Sequence, residues 1–250
     1  MINQTNQCAL ITGGSKRIGK EMAIFLAQNG YDVVIHFNKS SQQAQELADF
    51  LIQKFGVKSA IVGGDLTNKS CVQNIIDFMT QNFKNWKLLI NNASIFNKSK
   101  FIENIEDEFE KNLAIHLISP SYLSNFFAKN VLNNNISDAQ IINMIDKNTA
   151  RYDTKYFYYL LSKKCLAEFT KMLALQLAPK IRVNGIAPGY ILSDVNSEPS
   201  HLNETSKIIP LKRIGDVKNI LQTLEFLLKN DFVNGQILSI DGGASLNHAG

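Results

Sequence analysis

Seven short apolar runs alternate with longer segments of helical period, and that alternation fixes the class of fold before any motif is read. The runs are residues 8–12, 32–37, 59–64, 87–94, 139–146, 181–189 and 236–243. Between them, apolar residues recur every three or four positions over 20–30, 40–56, 68–83, 106–131, 154–178 and 216–230. Continuous apolar strands separated by helices imply a parallel sheet covered on both faces. The expectation is one doubly wound, Rossmann-type α/β domain with a seven-stranded parallel sheet over residues 1–250. Two segments break the rhythm. Residues 132–138, LNNNISD, read as a polar surface insertion, and residues 190–212 show no clear period and read as a long loop, expected to be a substrate lid. No repeat or linker marks a second domain.

Composition narrows the partners. The 250 residues are 45% hydrophobic and carry a net charge of +4, enough for one large core but too mild and unclustered for a nucleic-acid or membrane surface. No apolar run approaches the ~18 residues of a spanning helix, and the start, MINQTNQCAL, lacks the basic and apolar regions of a secretory signal. Cys8, Cys71 and Cys165 are odd in number and far apart, so they read as reduced thiols and point to the cytoplasm. No metal site is expected.

The first strand runs into LITGGSKRIGKEMA, a glycine turn that opens a helix. Backbone N–H groups there face a pyrophosphate, and the helix dipole favours its charge. Gly13, Gly14 and Gly19 suit such a turn, whereas Arg17 stands near a position where bare backbone is usual. The second strand ends in IHFNKSS, without the acid that would hold the ribose hydroxyls of NAD. Lys39 and the serine hydroxyls, with Lys16 and Arg17 from the neighbouring turn, suit a 2′-phosphate instead, so the expected cofactor is NADP(H). At the end of the third strand Asp65, in GGDL, is either an acceptor for the adenine amino group or a helix cap. At the end of the fourth, NNAS lets a cofactor lie close to the backbone while its Asn side chains tie strands together.

The segment after the fifth strand holds four tyrosines, and only Tyr159 has a lysine four residues on, Lys163, on the same helix face. An ammonium beside a phenol is expected to lower its pKa and make it a usable proton donor. Tyr152, Tyr156 and Tyr158 read as packing or surface aromatics.

TGGSKRIG, NNAS, the Tyr159/Lys163 pair, RVNGIAPG and IDGG together resemble the short-chain dehydrogenase/reductase family over essentially the whole chain. The resemblance implies a nicotinamide cofactor, a tyrosine acid with a lysine helper, and a homotetramer or dimer. It implies cofactor contacts at Gly13, Lys16, Arg17, Ile18, His36, Asn38, Lys39, Ser40, Asp65, Leu66, Asn92, Ala93, Ser94, Pro188 and Gly189. Two departures narrow it. Where the family places a serine, 13 residues ahead of the tyrosine, this chain has Asp146, and Arg17 replaces the middle glycine of the turn. Both departures resemble the pteridine reductases and the bacterial dihydromonapterin (dihydrofolate) reductases. Phe96 falls where those enzymes stack an aromatic on the pterin, and His116 stands where many family members carry Asn. His116 is either a marker of the bacterial subgroup or an ordinary helix residue.

That resemblance implies NADPH-dependent reduction of a dihydropterin at a ring C=N. Asp146, Tyr159 and Lys163 would be catalytic, and Arg17, Ser94, Phe96, Asp146 and Tyr159 would touch the substrate. A 3-oxoacyl-thioester reductase of the same family is the first rival, opposed by the carboxylate of Asp146. A non-catalytic NADP(H) sensor is the second, opposed by the intact Tyr159 and Lys163.

Overall fold

The computed structural model describes residues 7–102, 105–191 and 199–246. The strands are β1 (Cys8–Ile11), β2 (Asp32–Phe37), β3 (Ser59–Gly63), β4 (Trp86–Asn91), β5 (Ala139–Met144), β6 (Ile181–Pro188) and β7 (Ile237–Ile240). They form one sheet in the order β3-β2-β1-β4-β5-β6-β7, every pair parallel. The order reverses between β1 and β4, so the crevice beyond their carboxyl ends is the expected ligand site.

The helices are α1 (Arg17–Gln28), α2 (Ser41–Phe55), α3 (Lys69–Asn82), α4 (Ile105–Leu113), α5 (Ser119–Asn133), α6 (Phe157–Leu177), α7 (Pro199–Ile208) and α8 (Val217–Lys229). Strand side chains point alternately to two cores. Ala9, Ile11, Val33 and Ile35 pack with Met22 and Leu26 of α1, Leu47 and Leu51 of α2, and Ile220, Leu224 and Leu227 of α8. Cys8, Leu10 and Val34 pack on the other face with Ile75 and Met79 of α3 and Leu123 and Phe127 of α5. Because both faces are covered, β1 and β5 are buried along their whole length, and for that reason they read as unbroken apolar runs.

The structure departs from the sequence reading in the helices. The segment expected as one helix over 106–131 is two, joined by a π-helical turn at Ala114–Ile118, and α5 runs two residues into the expected insertion at 132–138. A π turn keeps nearly helical periodicity, so the apolar pattern does not betray it. Asn68 stands at the N-cap of α3, although its side chain makes no capping bond. The stretch 190–212 is not structureless: it contains the ten residues of α7, opened by Pro199 at a position that tolerates a missing N–H. Of the expected lid, residues 192–198 lie outside the described residues. Beyond α7, Ile209 is buried and Leu211 N–H donates to Gly242 O, which ties this end of the stretch to the turn after β7. Among the described residues no helix is long and apolar enough to cross a membrane.

Candidate active site

The glycine turn is shaped by close approach. Gly13 has φ +62°, and a Cβ there would lie 2.9 Å from Ala93 Cα; one on Gly19 would lie 2.4 Å from Gly13 O. Arg17 has φ +53°, the left-handed region usually left to glycine, which costs a larger residue roughly 1–2 kcal/mol. It therefore takes the backbone conformation of the glycine it replaces, while its exposed guanidinium makes no bond to any described residue.

Several expected cofactor residues brace the turn. Asn92 Nδ2 donates to Thr12 O and Gly13 O at 2.9 and 3.0 Å, and the N–H groups of Asn92 and Ala93 donate to Thr12 Oγ1. His36 is buried: Gly13 N–H donates to its Nδ1 at 3.2 Å and its Nε2 donates to Gly64 O at 3.0 Å. Burial pushes its pKa down to about 4, so the ring is neutral. His36 thus holds the turn from beneath, with both ring nitrogens engaged within the protein. Leu66 is also buried; its carbonyl accepts from Ser119 Oγ at 2.6 Å. Asp65 accepts from Thr67 N–H and Oγ1, each at 2.9 Å, and the Thr67 N–H is the largest cause holding its carboxyl below the usual range. It holds the turn ahead of α3, whose N-cap is Asn68, so it is not the helix cap that one of the two readings made it.

Lys16, Arg17, Asn38 and Lys39 are exposed, Ile18 and Ser40 half-buried. Ser15 Oγ lies 2.7 Å from Ser40 Oγ, joining the glycine turn to the end of β2. Sequence reasoning missed Ser15, whose partner lies 25 residues away. On the far side, Pro188 closes β6, and Gly189 packs so tightly on the turn after β7 that a Cβ would lie 2.6 Å from Asp241 Cα.

At the carboxyl end of β5 and the start of α6, Tyr159 Oη donates to Asp146 Oδ2 at 2.7 Å, and Asp146 Oδ1 accepts from Asn148 N–H at 2.7 Å. Lys163 is buried; its Nζ donates to Met144 O at 2.7 Å and lies 6.0 Å from the Tyr159 ring centre. Burial brings its pKa down to about 8. The expected lowering of the Tyr159 pKa does not hold in this arrangement. Burial and then the Asp146 carboxylate push it well above the ordinary phenol value, because the lysine is turned to a backbone carbonyl and the tyrosine faces an anion.

Phe96 is half exposed, edge-on to Tyr159 at 4.7 Å and stacked on Tyr156 at 4.2 Å and 12°. Tyr156 is therefore part of the aromatic wall, more than the packing residue expected of it. Ser99 fixes that wall to α6: its backbone bridges to Tyr156, with Ser99 N–H donating to Lys155 O and Phe157 N–H to Ser99 O. Tyr158 is buried and donates to Phe101 O, and Tyr152 is exposed, both as expected.

His116 is no ordinary helix residue. It sits in the π turn, almost wholly buried, with Nε2 2.9 Å from Ser94 Oγ and Nδ1 2.8 Å from Ser162 Oγ. Ser162 is a further residue that no sequence pattern singled out. A cleft of about 410 Å³ lined by Tyr190, Leu211, Arg213, Phe226, Ile240 and Asp241 lies along the edge strand β7 and contains none of these groups. Among the described residues no cluster of His, Cys, Asp or Glu could hold a metal ion.

Taken together, the crevice pairs a glycine cradle with a carboxylate–phenol couple beneath an aromatic face. The chain is similar over nearly its whole length to known reductases. The family described as Enoyl-(Acyl carrier protein) reductase matches residues 13–245. A crystal structure of FolM alternative dihydrofolate reductase 1 from Brucella canis complexed with NADP has a TM-score of 0.90 and 31% identity, covering 96% of this chain and 94% of that one. The Brucella suis protein of the same description, also in complex with NADP, has a TM-score of 0.89 and 31% identity, covering 96% of each chain. Among sequence relatives, the 3-oxoacyl-[acyl-carrier-protein] reductase FabG of Buchnera aphidicola is 30% identical over 96% of this chain and 97% of its own length.

Proposed function

The chain belongs to the short-chain dehydrogenase/reductase family, and on that footing we propose that it is an NADPH-dependent reductase of dihydropterins acting at a ring C=N. The observation that carries the reading is the Asp146–Tyr159 hydrogen bond beside the exposed face of Phe96. A carboxylate at this point repels the oxyanion that forms when a carbonyl is reduced, but it accepts from the N–H groups of a pterin. Its charge also keeps the Tyr159 proton in place until a ring nitrogen takes it. The neighbours described as dihydrofolate reductases support the same substrate class.

The residues fit NADP(H). Gly13 and Gly19 let the turn close on Ala93 and on itself, which leaves the first N–H groups of α1 for a pyrophosphate, and exposed Lys16, Arg17 and Lys39, with Ser40, would meet the 2′-phosphate. NADPH, when bound, supplies the hydride to the ring carbon. Lys163 holds the ribose side of the site, Phe96 holds the flat ring, Asp146 orients it, and Tyr159 delivers the proton.

For assembly, Met172 and Leu175 on α6 are 71% and 83% exposed and support association of copies through that helix; a purely monomeric protein on a sizing column would count against it.

The test of the function is a substrate panel followed by loss of NADPH absorbance. Turnover is expected with dihydromonapterin, dihydrobiopterin or dihydrofolate. Turnover only with an acetoacetyl thioester would overturn the pterin reading in favour of a carbonyl reductase, and NADPH binding without turnover of anything would favour a sensor.

A further inference from the structure

His116 has a geometry that no step above uses, and counting protons around it fixes its state. The Tyr159 carbonyl can only accept, so the Ser162 hydroxyl, 2.7 Å away, donates to it. With that proton committed, Ser162 Oγ meets His116 Nδ1 at 2.8 Å as an acceptor, so Nδ1 carries the ring hydrogen. Burial, and then the Lys163 ammonium, keep the ring from taking a second proton. Nε2 is therefore a bare lone pair. It lies 2.9 Å from Ser94 Oγ and accepts from Ile95 N–H at 3.4 Å.

We propose that His116 is a positioning residue for Ser94: locked in the Nδ1–H form by Ser162, it holds the Ser94 proton on Nε2 at rest and yields it to the Tyr159 oxygen after that oxygen has given its proton to the substrate. The His116 ring stands edge-on to the Tyr159 ring at 5.4 Å, which puts Ser94, on its Nε2, beside the phenol, and a Ser94 hydrogen bond pulls the Tyr159 pKa down against burial. At rest Tyr159 donates to Asp146, and its neutral oxygen is the weaker acceptor. When its proton passes to the ring nitrogen, the phenolate becomes the stronger one, and the Ser94 O–H turns to it. The Ile95 N–H remains on Nε2, so the buried nitrogen is not left unpaired. One proton moves, from Tyr159 Oη to the substrate nitrogen; the Ser94 proton stays covalently on Ser94 throughout. The inference rests on Tyr159 as the proton donor of the proposed reaction.

Two measurements test it. Nitrogen-resolved NMR of histidine-labelled protein, with His116 assigned by its loss in His116→Phe or its shift in Ser162→Ala, reads the tautomer directly. A neutral Nδ1–H ring is expected at neutral pH; an Nε2–H or doubly protonated ring overturns the proposal. The second is a double-mutant cycle on NADPH-dependent turnover. His116→Phe and Ser94→Ala are each expected to lower kcat by about tenfold, the scale of one hydrogen bond to a charged group. The double variant should be no worse than the poorer single. Effects that multiply would show that His116 does not act through Ser94. Ser162→Ala, which leaves the ring in place, replaces His116→Phe in the cycle if that variant does not fold. Wild-type protein that turns over no pterin defeats the pterin reading, and the tautomer measurement then decides this one separately.

Discussion

The Tyr159 hydroxyl donates to Asp146 Oδ2 at 2.7 Å, and this bond sets the direction in which the proton donor is tuned. A raised phenol pKa keeps Tyr159 protonated across the neutral range, the state a reduction needs. Asp146→Asn removes the charge, so the alkaline fall of kcat should move to lower pH. Pterin turnover should drop by about 10²-fold, and Tyr159→Phe should lower it further, to about 10³–10⁴-fold below wild type. NADPH affinity by fluorescence titration should stay within about twofold in both. Substantial activity in Tyr159→Phe would assign the acid elsewhere.

Arg17 combines a glycine-like backbone with an exposed cation. Arg17→Gly should weaken NADPH binding about tenfold while leaving NADH binding nearly unchanged, because only NADPH carries the extra phosphate. The same substitution relieves a left-handed residue, so thermal stability should hold or rise slightly. Equal losses for both cofactors would remove Arg17 from the phosphate clamp.

His36 makes the fold itself sensitive to acid. Its folded pKa is about 4, against 6.5 for the ordinary ring, so the unfolded chain takes up the proton first as pH falls. The stability it contributes is complete above the ordinary value and is lost between 6.5 and about 4. Urea unfolding at pH 5 should show a loss of about 2 kcal/mol relative to pH 7. His36→Gln should remove that part of the slope. In the folded protein the ring takes its proton, and the Gly13 N–H bond to Nδ1 ends, only near pH 4, so NADPH affinity should hold down to pH 5 and weaken as pH approaches about 4.

Phe96 and Tyr156 form a two-ring stack in which Phe96 is half exposed. Phe96→Ala should raise the KM for the pterin about tenfold, and Tyr156→Ala about threefold through loss of the backing ring. Steady-state kinetics with saturating NADPH measures both. An unchanged KM in Phe96→Ala would place the substrate ring elsewhere.

Much of this was legible in the sequence, for definite reasons. The strands showed because a doubly covered sheet makes β1 and β5 apolar throughout. Tyr159 could be chosen among four tyrosines because a lysine four residues on is a local relation, and Gly13 and Gly19 because close approach demands them. What stayed hidden depends on contacts across the chain. Ser15 meets Ser40, Ser94 meets His116, and His116 meets Ser162 over separations of 25, 22 and 46 residues. The tuning of Tyr159 was misjudged for a related reason: spacing placed Lys163 beside it, but only the fold shows the ammonium turned to Met144 O. α7 escaped because about two and a half turns of mixed residues carry too little period to read.

The Ser99–Tyr156 bridge ties the segment that carries Phe96 to the start of α6, so the Phe96 ring and the Tyr159 hydroxyl keep a fixed relation. A ring held in place grips by flatness, and length is left for other parts of the chain to judge. On the proposed reaction a flat dihydropterin would lie well against it; the tetrahydro ring, puckered at its new sp³ carbon, would fit less well. Chemistry would then prise open the grip that admitted the substrate, so the enzyme should expel what it makes, seen as a product inhibition constant well above the substrate KM.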